Sequence, residues 1–92
     1  MFCILIYDIA INSNEDEKRL QKVYEICKKY LQHIEFSVFY GEINKKRLLE
    51  LIKELKNVID KNRDSIIFYL FRNREDIKEI IKFNIKEFSR VI

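Results

Sequence analysis

An α+β fold, with two helices laid on one face of an antiparallel sheet, is what the order of hydrophobic patterns in this sequence predicts. Three observations carry the prediction. Runs of β-branched and aromatic residues stand at Phe2–Ile9, His33–Tyr40 and Ser65–Phe71. Two intervening segments have apolar residues every three or four positions, the spacing of one helix face. The chain has no proline and one glycine, so regular elements must follow one another through short connections.

The first run, FCILIYDI, is continuous rather than alternating, which marks a strand buried on both faces. INSNEDE then supplies turn residues and a helix start. Ser13 or Asn14 stands where a cap belongs, and Glu15, Asp16 and Glu17 suit the positive end of the helix dipole. Leu20, Val23, Tyr24, Cys27, Tyr30 and Leu31 form the apolar stripe of that helix, with Lys18, Arg19, Lys22, Lys28 and Lys29 mostly off it. From His33 to Tyr40 the pattern alternates: Ile34, Phe36, Val38 and Tyr40 face one way, and Glu35, Ser37 and Phe39 the other. Gly41 stands where a bend or bulge would separate this strand from a short segment over 42–44. Asn44 suits the cap of a second helix striped by Leu48, Leu51, Ile52, Leu55, Val58 and Ile59. DKNRD closes it, and SIIFYLF is another buried strand. In the tail, Ile77, Ile80 and Ile81 suggest helical turns, and FSRVI reads as a short strand.

The resulting order, β-α-β-β-α-β plus a tail, is the ferredoxin-like split βαβ arrangement. A single domain is expected over residues 1–92, with its core over 1–72 and a tail over 73–92, because this length suffices for one modest core. The helices cover only one sheet face. Tyr7, Phe39 and Phe68 are expected on the other, which gives that face more apolar surface than a small monomer leaves in water. A homodimer through the sheets is therefore expected, with the tail strand pairing onto the partner's edge.

Apolar residues make up 48% of the chain and charged ones 36%, the composition of a globular protein with a heavily charged surface. No run of eighteen uncharged apolar residues argues for a membrane span. No basic n-region or cleavage site follows Met1, so the default expectation is a cytoplasmic location. Cys3 and Cys27 have no zinc-ligand spacing and make no disulfide framework, so both are expected as small core residues. The net charge of +3 permits nucleic-acid binding without arguing for it alone.

Asp8 breaks the pattern, as the one carboxylate in FCILIYDIA. A carboxylate at the end of a buried strand needs compensation. A helix cap, an ion pair with a lysine, or a metal ligand would each provide it, and the pattern leaves all three open. Asp60 and Asp64 read as a helix end and the turn into the last strand. Histidine is a residue type suited to an acid–base role, but a lone His33 at a strand start reads better as a surface or phosphate-contacting group. Ser37 is placed to hydrogen-bond a phosphate or a neighbouring strand. The cations fall into three groups: Lys18, Arg19 and Lys22; Lys45, Lys46 and Arg47; Arg72 and Arg74. Three cations at a helix N-terminus run against the dipole. A phosphate backbone is their natural partner, bound in a salt-dependent and largely sequence-independent way. Phe36, Phe39, Phe68 and Tyr69 lack the pattern of RNA-recognition sheets and read as core or dimer interface.

Four stretches in order, LIYDI (5–9), IEFSVFYGEI (34–43), LKNVID (55–60) and DSIIFYLF (64–71), resemble the CRISPR-associated protein two family, and the resemblance covers essentially the whole chain. It implies a ferredoxin-like homodimer with an exchanged C-terminal strand, acting as a Mg²⁺-dependent endonuclease of spacer acquisition in prokaryotic antiviral defence. It equally implies an adaptor that bridges dimers of the CRISPR-associated integrase on DNA. Under it, Asp8 is the catalytic, metal-binding residue, and Tyr7, Ser37, Val38 and Phe39 match family positions. Nucleic-acid contacts are then expected from Tyr7, Lys18, Arg19, Lys22, His33, Ser37, Lys45, Lys46, Arg47 and Arg72. One departure stands out: His33 occupies a place where many members carry arginine, and Glu35 replaces the glutamine before SVF.

Overall fold

The computed structural model describes residues 1–73 and Glu75. Within it, β1 spans Phe2–Asp8, α1 Asn14–Tyr30, β2 Gln32–Glu35, β3 Val38–Glu42, α2 Lys45–Lys56 and β4 Ser65–Phe71. The strands form one antiparallel sheet in the order β2-β3-β1-β4. Each helix connects strands that lie two places apart in the sheet, as in a ferredoxin-like fold. The tail expected over 73–92, with its helical turns and terminal strand, lies outside the described residues apart from Asn73 and Glu75.

Local chemistry sets the helix starts. The Ser13 hydroxyl accepts a hydrogen bond from the Asp16 N–H at 3.2 Å and caps α1. Asn44 Oδ1 does the same for α2, accepting from the Arg47 N–H at 2.8 Å. Such caps are worth about 1 kcal/mol each against alanine. The apolar stripes then dock both helices on one sheet face. Val23 and Cys27 of α1 and Leu48, Leu51 and Leu55 of α2 close over Cys3, Leu5 and Tyr7 of β1 and Phe39 of β3. The two cysteines are free, fully buried core residues. Burial pushes the Cys3 thiol up to about 11 and the Cys27 thiol up to about 12, so both stay neutral.

Four sequence expectations are corrected, beginning with SIIFYLF: read as a buried strand, it is β4 at the edge of the described sheet, and none of its residues is fully buried. The strand expected over His33–Tyr40 is two strands, because Phe36 and Ser37 form a tight turn between Glu35 and its ladder partner Val38. Phe36 takes φ = 44° and is 88% exposed. That left-handed conformation is unusual for a bulky residue, and no glycine or asparagine advertises it. Gly41 is correspondingly not a divider: it lies inside β3 opposite Cys3. Finally, Tyr7, Phe39 and Phe68 are not on the uncovered face. All three pack with the helices. The opposite face is lined by Phe2, Ile4 and Ile6, with Val38, Tyr40 and Phe71 packed beside them. The β1–β4 register puts Ile67 and Tyr69, about half exposed, on that same face. A continuous apolar run has no period, and so nothing in it says which residues face the helices.

Candidate functional site

Asp8 is the last residue of β1, and its ladder partner Ser65 is the first of β4. On the other side the Tyr7 N–H donates to the Ser37 carbonyl at 3.2 Å, which sets the tip of the β2–β3 hairpin alongside the strand end. Side chains alternate along a strand, so Asp8 shares the uncovered face with Phe2, Ile4 and Ile6. It is exposed. Ser13, not Asp8, caps α1. Among the described residues no cation ion-pairs with the Asp8 carboxylate, and no donor hydrogen-bonds to it. Of the three ways to compensate this carboxylate, two are therefore absent among the described residues.

Asp64, next to the ladder partner of Asp8, belongs to a second, contrasting group of acids. The Asp64 side chain is fully buried and accepts four hydrogen bonds: from the Ala10 N–H (3.0 Å), the Asp60 N–H (2.8 Å), and Nε and Nη2 of Arg19 (2.7 and 3.1 Å). Arg19 also reaches Asp16 at 2.7 Å and the Ala10 carbonyl at 3.1 Å. Asp16, itself buried, takes two further bonds from Arg63, at 2.8 and 3.1 Å, and one from the Asn12 N–H at 2.8 Å. Hydrogen bonds from Arg63, then Arg19 and Asn12, hold the Asp16 carboxyl well below the usual range. For Asp64, burial opposes ionisation, but Arg19 and the Asp60 and Ala10 amides together outweigh it and the carboxyl stays low. The first-turn spacing of Asp16 and Arg19 is a visible signal for one pair. The pairings to residues 63 and 64, more than forty positions away, carry no periodic signal.

The structure divides the remaining candidates. Tyr7 is in the core, its ring 6.1 Å from that of Phe39, and burial raises its phenol; the expected nucleic-acid contact is replaced by packing. Arg19 is 13% exposed and committed to Asp16 and Asp64, so its guanidinium also sits apart from the expected phosphate role. His33, the single histidine, lies against Tyr24 and Phe39, with Nε2 2.7 Å from the Phe36 carbonyl. Ser37 is half-buried in the hairpin turn. Lys18 and Lys22 are exposed on α1, lining a groove of about 570 Å³ with Glu15, Glu25, Gln21 and Asn57. Its mixed charge favours no one sign of ligand.

Lys45, Lys46, Arg47 and Arg72 are exposed at the other end of the sheet. There the Ile43 N–H donates to the Met1 carbonyl, and Phe71 pairs with Phe2. At about 3.3 Å per residue, the length of β1 separates them from Asp8 by about 20 Å. Arg47 has partners of its own: the Tyr30 ring lies 4.2 Å from its guanidinium, and Glu50 3.2 Å away. One carboxylate site and one cationic end thus lie at opposite poles of the sheet.

Residues 1–90 match the family model described as CRISPR associated protein Cas2. The chain belongs to that family. A relative from Thermodesulfovibrio yellowstonii, named CRISPR-associated endoribonuclease Cas2 3, is 41% identical over 80 residues, 87% of this chain and 84% of its own. One from Halalkalibacterium halodurans, named CRISPR-associated endonuclease Cas2, is 33% identical over 78 residues, 85% of this chain and 81% of its own. The fold is similar to the crystal structure of Streptococcus pyogenes Cas2, with a TM-score of 0.75 at 28% identity, covering 85% of this chain and 94% of that one. Among the described residues no group of three His, Cys, Asp or Glu side chains is arranged to hold a metal ion. A metal held within the described residues would therefore have few protein ligands.

Proposed function

We propose that this Cas2-family protein is a metal-dependent endonuclease that cuts nucleic-acid phosphodiesters, and that Asp8 is the carboxylate that binds the metal. The observation that carries the reading is the exposed Asp8 carboxylate at the end of β1, without an ion-pair or hydrogen-bond partner among the described residues. The names of the relatives, endoribonuclease and endonuclease, point to the same chemistry.

The donor set fits Mg²⁺, which keeps several waters and takes one or two carboxylates together with substrate phosphates. When bound, the ion supplies polarisation of a phosphodiester oxygen and an acidified water. Asp8 contributes negative charge from a face otherwise lined by apolar side chains, and Ser65 and the Phe36–Ser37 turn bound the place where a phosphate would lie. A two-fold dimer through this face would bring two copies of Asp8 toward one axis, and would cover Ile67 and Tyr69. The tail over 73–92 would serve as the strand that exchanges between protomers. His33 is held against Tyr24 and Phe39 with Nε2 on the Phe36 carbonyl rather than on Asp8. Slow turnover follows from so sparse a site.

A second reading is favoured by the polarity of the sheet. Lys45, Lys46 and Arg72 lie about 20 Å from Asp8 along β1, so phosphate binding there needs no cleavage at the carboxylate. That arrangement suits a DNA-binding adaptor between integrase subunits. Cleavage of single-stranded RNA and duplex DNA, with and without Mg²⁺, tests both readings. The Asp8→Ala variant should lose Mg²⁺-dependent cutting and keep duplex binding. Equal cutting by both proteins, or none by either, would overturn the nuclease reading and leave the adaptor.

A further inference from the structure

We propose that Asp64 and Arg19 are positioning residues for Asp8, gripping the chain just beyond it so that the end of β1 is a rigid mount; this inference rests on the reading of Asp8 as the metal-binding carboxylate.

The need for such a mount follows from the geometry. Asp8 and Ser65 are the last pair of the β1–β4 ladder, and strand ends open locally more readily than strand centres. Among the described residues no side chain holds the Asp8 carboxylate from the side. Its position is therefore set by its own backbone. A metal ligand must be held to within about half an ångström to be productive, and here only the main chain is available to do it.

The main chain is held two residues on. The N–H of Ala10 donates to Asp64 Oδ1 at 3.0 Å, and its carbonyl accepts from Arg19 Nη2 at 3.1 Å. The same Arg19 Nη2 and Nε reach the two Asp64 oxygens, so that four hydrogen bonds tie Ala10, Asp64 and Arg19 together. Asp64 immediately precedes Ser65, the ladder partner of Asp8. One side chain thus fixes the exit of β1 and the start of β4 together. Arg19 is anchored in turn by Asp16 at 2.7 Å, and Asp16 by Arg63.

Stability alone is a weak reason for this arrangement. Buried ion pairs often contribute no more than apolar residues of the same size, because of their desolvation penalty. What an arginine fork between carboxylates does better than a leucine is fix direction, through paired hydrogen bonds of defined angle. The fork is spent on the peptide next to the strand end that carries Asp8, and on the acid next to the residue opposite it.

Two variants separate positioning from folding. Asp64→Asn removes the buried charge. Arg19→Lys keeps the charge but removes the second arm that reaches the Ala10 carbonyl, and it decides the matter alone if Asp64→Asn fails to fold. Mg²⁺ is titrated into the cleavage reaction at a temperature well below the melting point of each protein, so that the folded fraction is equal. Both variants should raise the Mg²⁺ concentration for half-maximal cleavage about tenfold, the scale seen when groups that orient a metal ligand are lost, while duplex binding stays as in the wild type. Leu55→Ala, which opens the core under α2 and touches none of the groups around Ala10, should lower the melting temperature and leave the Mg²⁺ requirement unchanged. Wild-type Mg²⁺ dependence in Arg19→Lys, or an equal shift in Leu55→Ala, would overturn the proposal. Asp8→Ala distinguishes the two levels. If it cuts like the wild type, the metal-ligand reading itself has failed, and the mount with it. If it is dead while Arg19→Lys and Asp64→Asn keep normal Mg²⁺ dependence, only the mount has failed.

Discussion

The two faces of β1 belong to one seven-residue strand and meet different surroundings. Cys3, Leu5 and Tyr7 point into a core closed by Val23, Cys27 and Leu51. Phe2, Ile4 and Ile6 point to a face that no helix among the described residues covers, where Ile67 and Tyr69 are half exposed, and Asp8 stands at its rim. The first face is finished within the chain. The second is apolar but unfinished, and its one β1 carboxylate has no partner among the described residues. The packed core and the exposed carboxylate are thus separated by a single peptide step, since adjacent residues of a strand project to opposite faces.

The largest effect expected from this contrast is on the core side. Leu5→Ala should cost about 2–5 kcal/mol, a fall of roughly 10 °C or more in the melting temperature of a domain this size. Tyr69→Lys, on the other face, should leave the stability of the isolated chain within about 0.5 kcal/mol but weaken self-association in sedimentation velocity. Comparable melting shifts for the two variants, with unchanged association, would break the distinction between the faces.

A smaller effect concerns the acids gathered around Arg19 and Arg63. Asp16, Asp60 and Asp64 are all held below the ordinary carboxylate range, chiefly by Arg63 for Asp16 and Asp60. For Asp64 the opposing effect of burial is overcome by Arg19 and two backbone amides. A lowered folded-state value means that the stabilisation is present above the unfolded value, about 3.9, and is lost as the pH falls through the folded one. The urea midpoint should therefore be nearly level from pH 7 to about 5 and drop below about 4. Asp64→Asn should show a shallower acid limb. A midpoint that changes as steeply between pH 7 and 5 would point to other groups.

The smallest effect belongs to the far end of the sheet. If Lys45 and Lys46 contact phosphate, replacing each by Gln should reduce the slope of log binding constant against log salt by about 0.9. An unchanged slope would remove this end from the nucleic-acid surface.

Much of this fold is legible in the sequence, for specific reasons. The helices announce themselves by apolar spacing and by Asn44 and Ser13 at their starts, and the order of elements then limits the sheet to few arrangements. Asp8 is visible because it is the only charge in a nine-residue apolar run. The division of the second hairpin is hidden because its turn uses Phe36 at φ = 44° rather than a residue suited to that conformation. The facing of Tyr7 and Phe68 is hidden because an unbroken apolar run carries no period, and that of Phe39 because alternation separates two faces without saying which one the helices cover. The commitment of Arg19 to Asp64 is hidden because a pair 45 residues apart is set by where two loops meet, which local spacing does not encode.

The central claim is that Asp8 binds the metal. It is tested most directly by adding Mn²⁺, in place of Mg²⁺, to ¹⁵N-labelled protein and mapping the paramagnetic broadening of amide signals. Broadening centred on Tyr7, Asp8, Ile9 and Ser65, and abolished in Asp8→Asn, is the result expected. Broadening centred elsewhere, for instance on Glu15–Glu17, or persisting in Asp8→Asn, would contradict the claim.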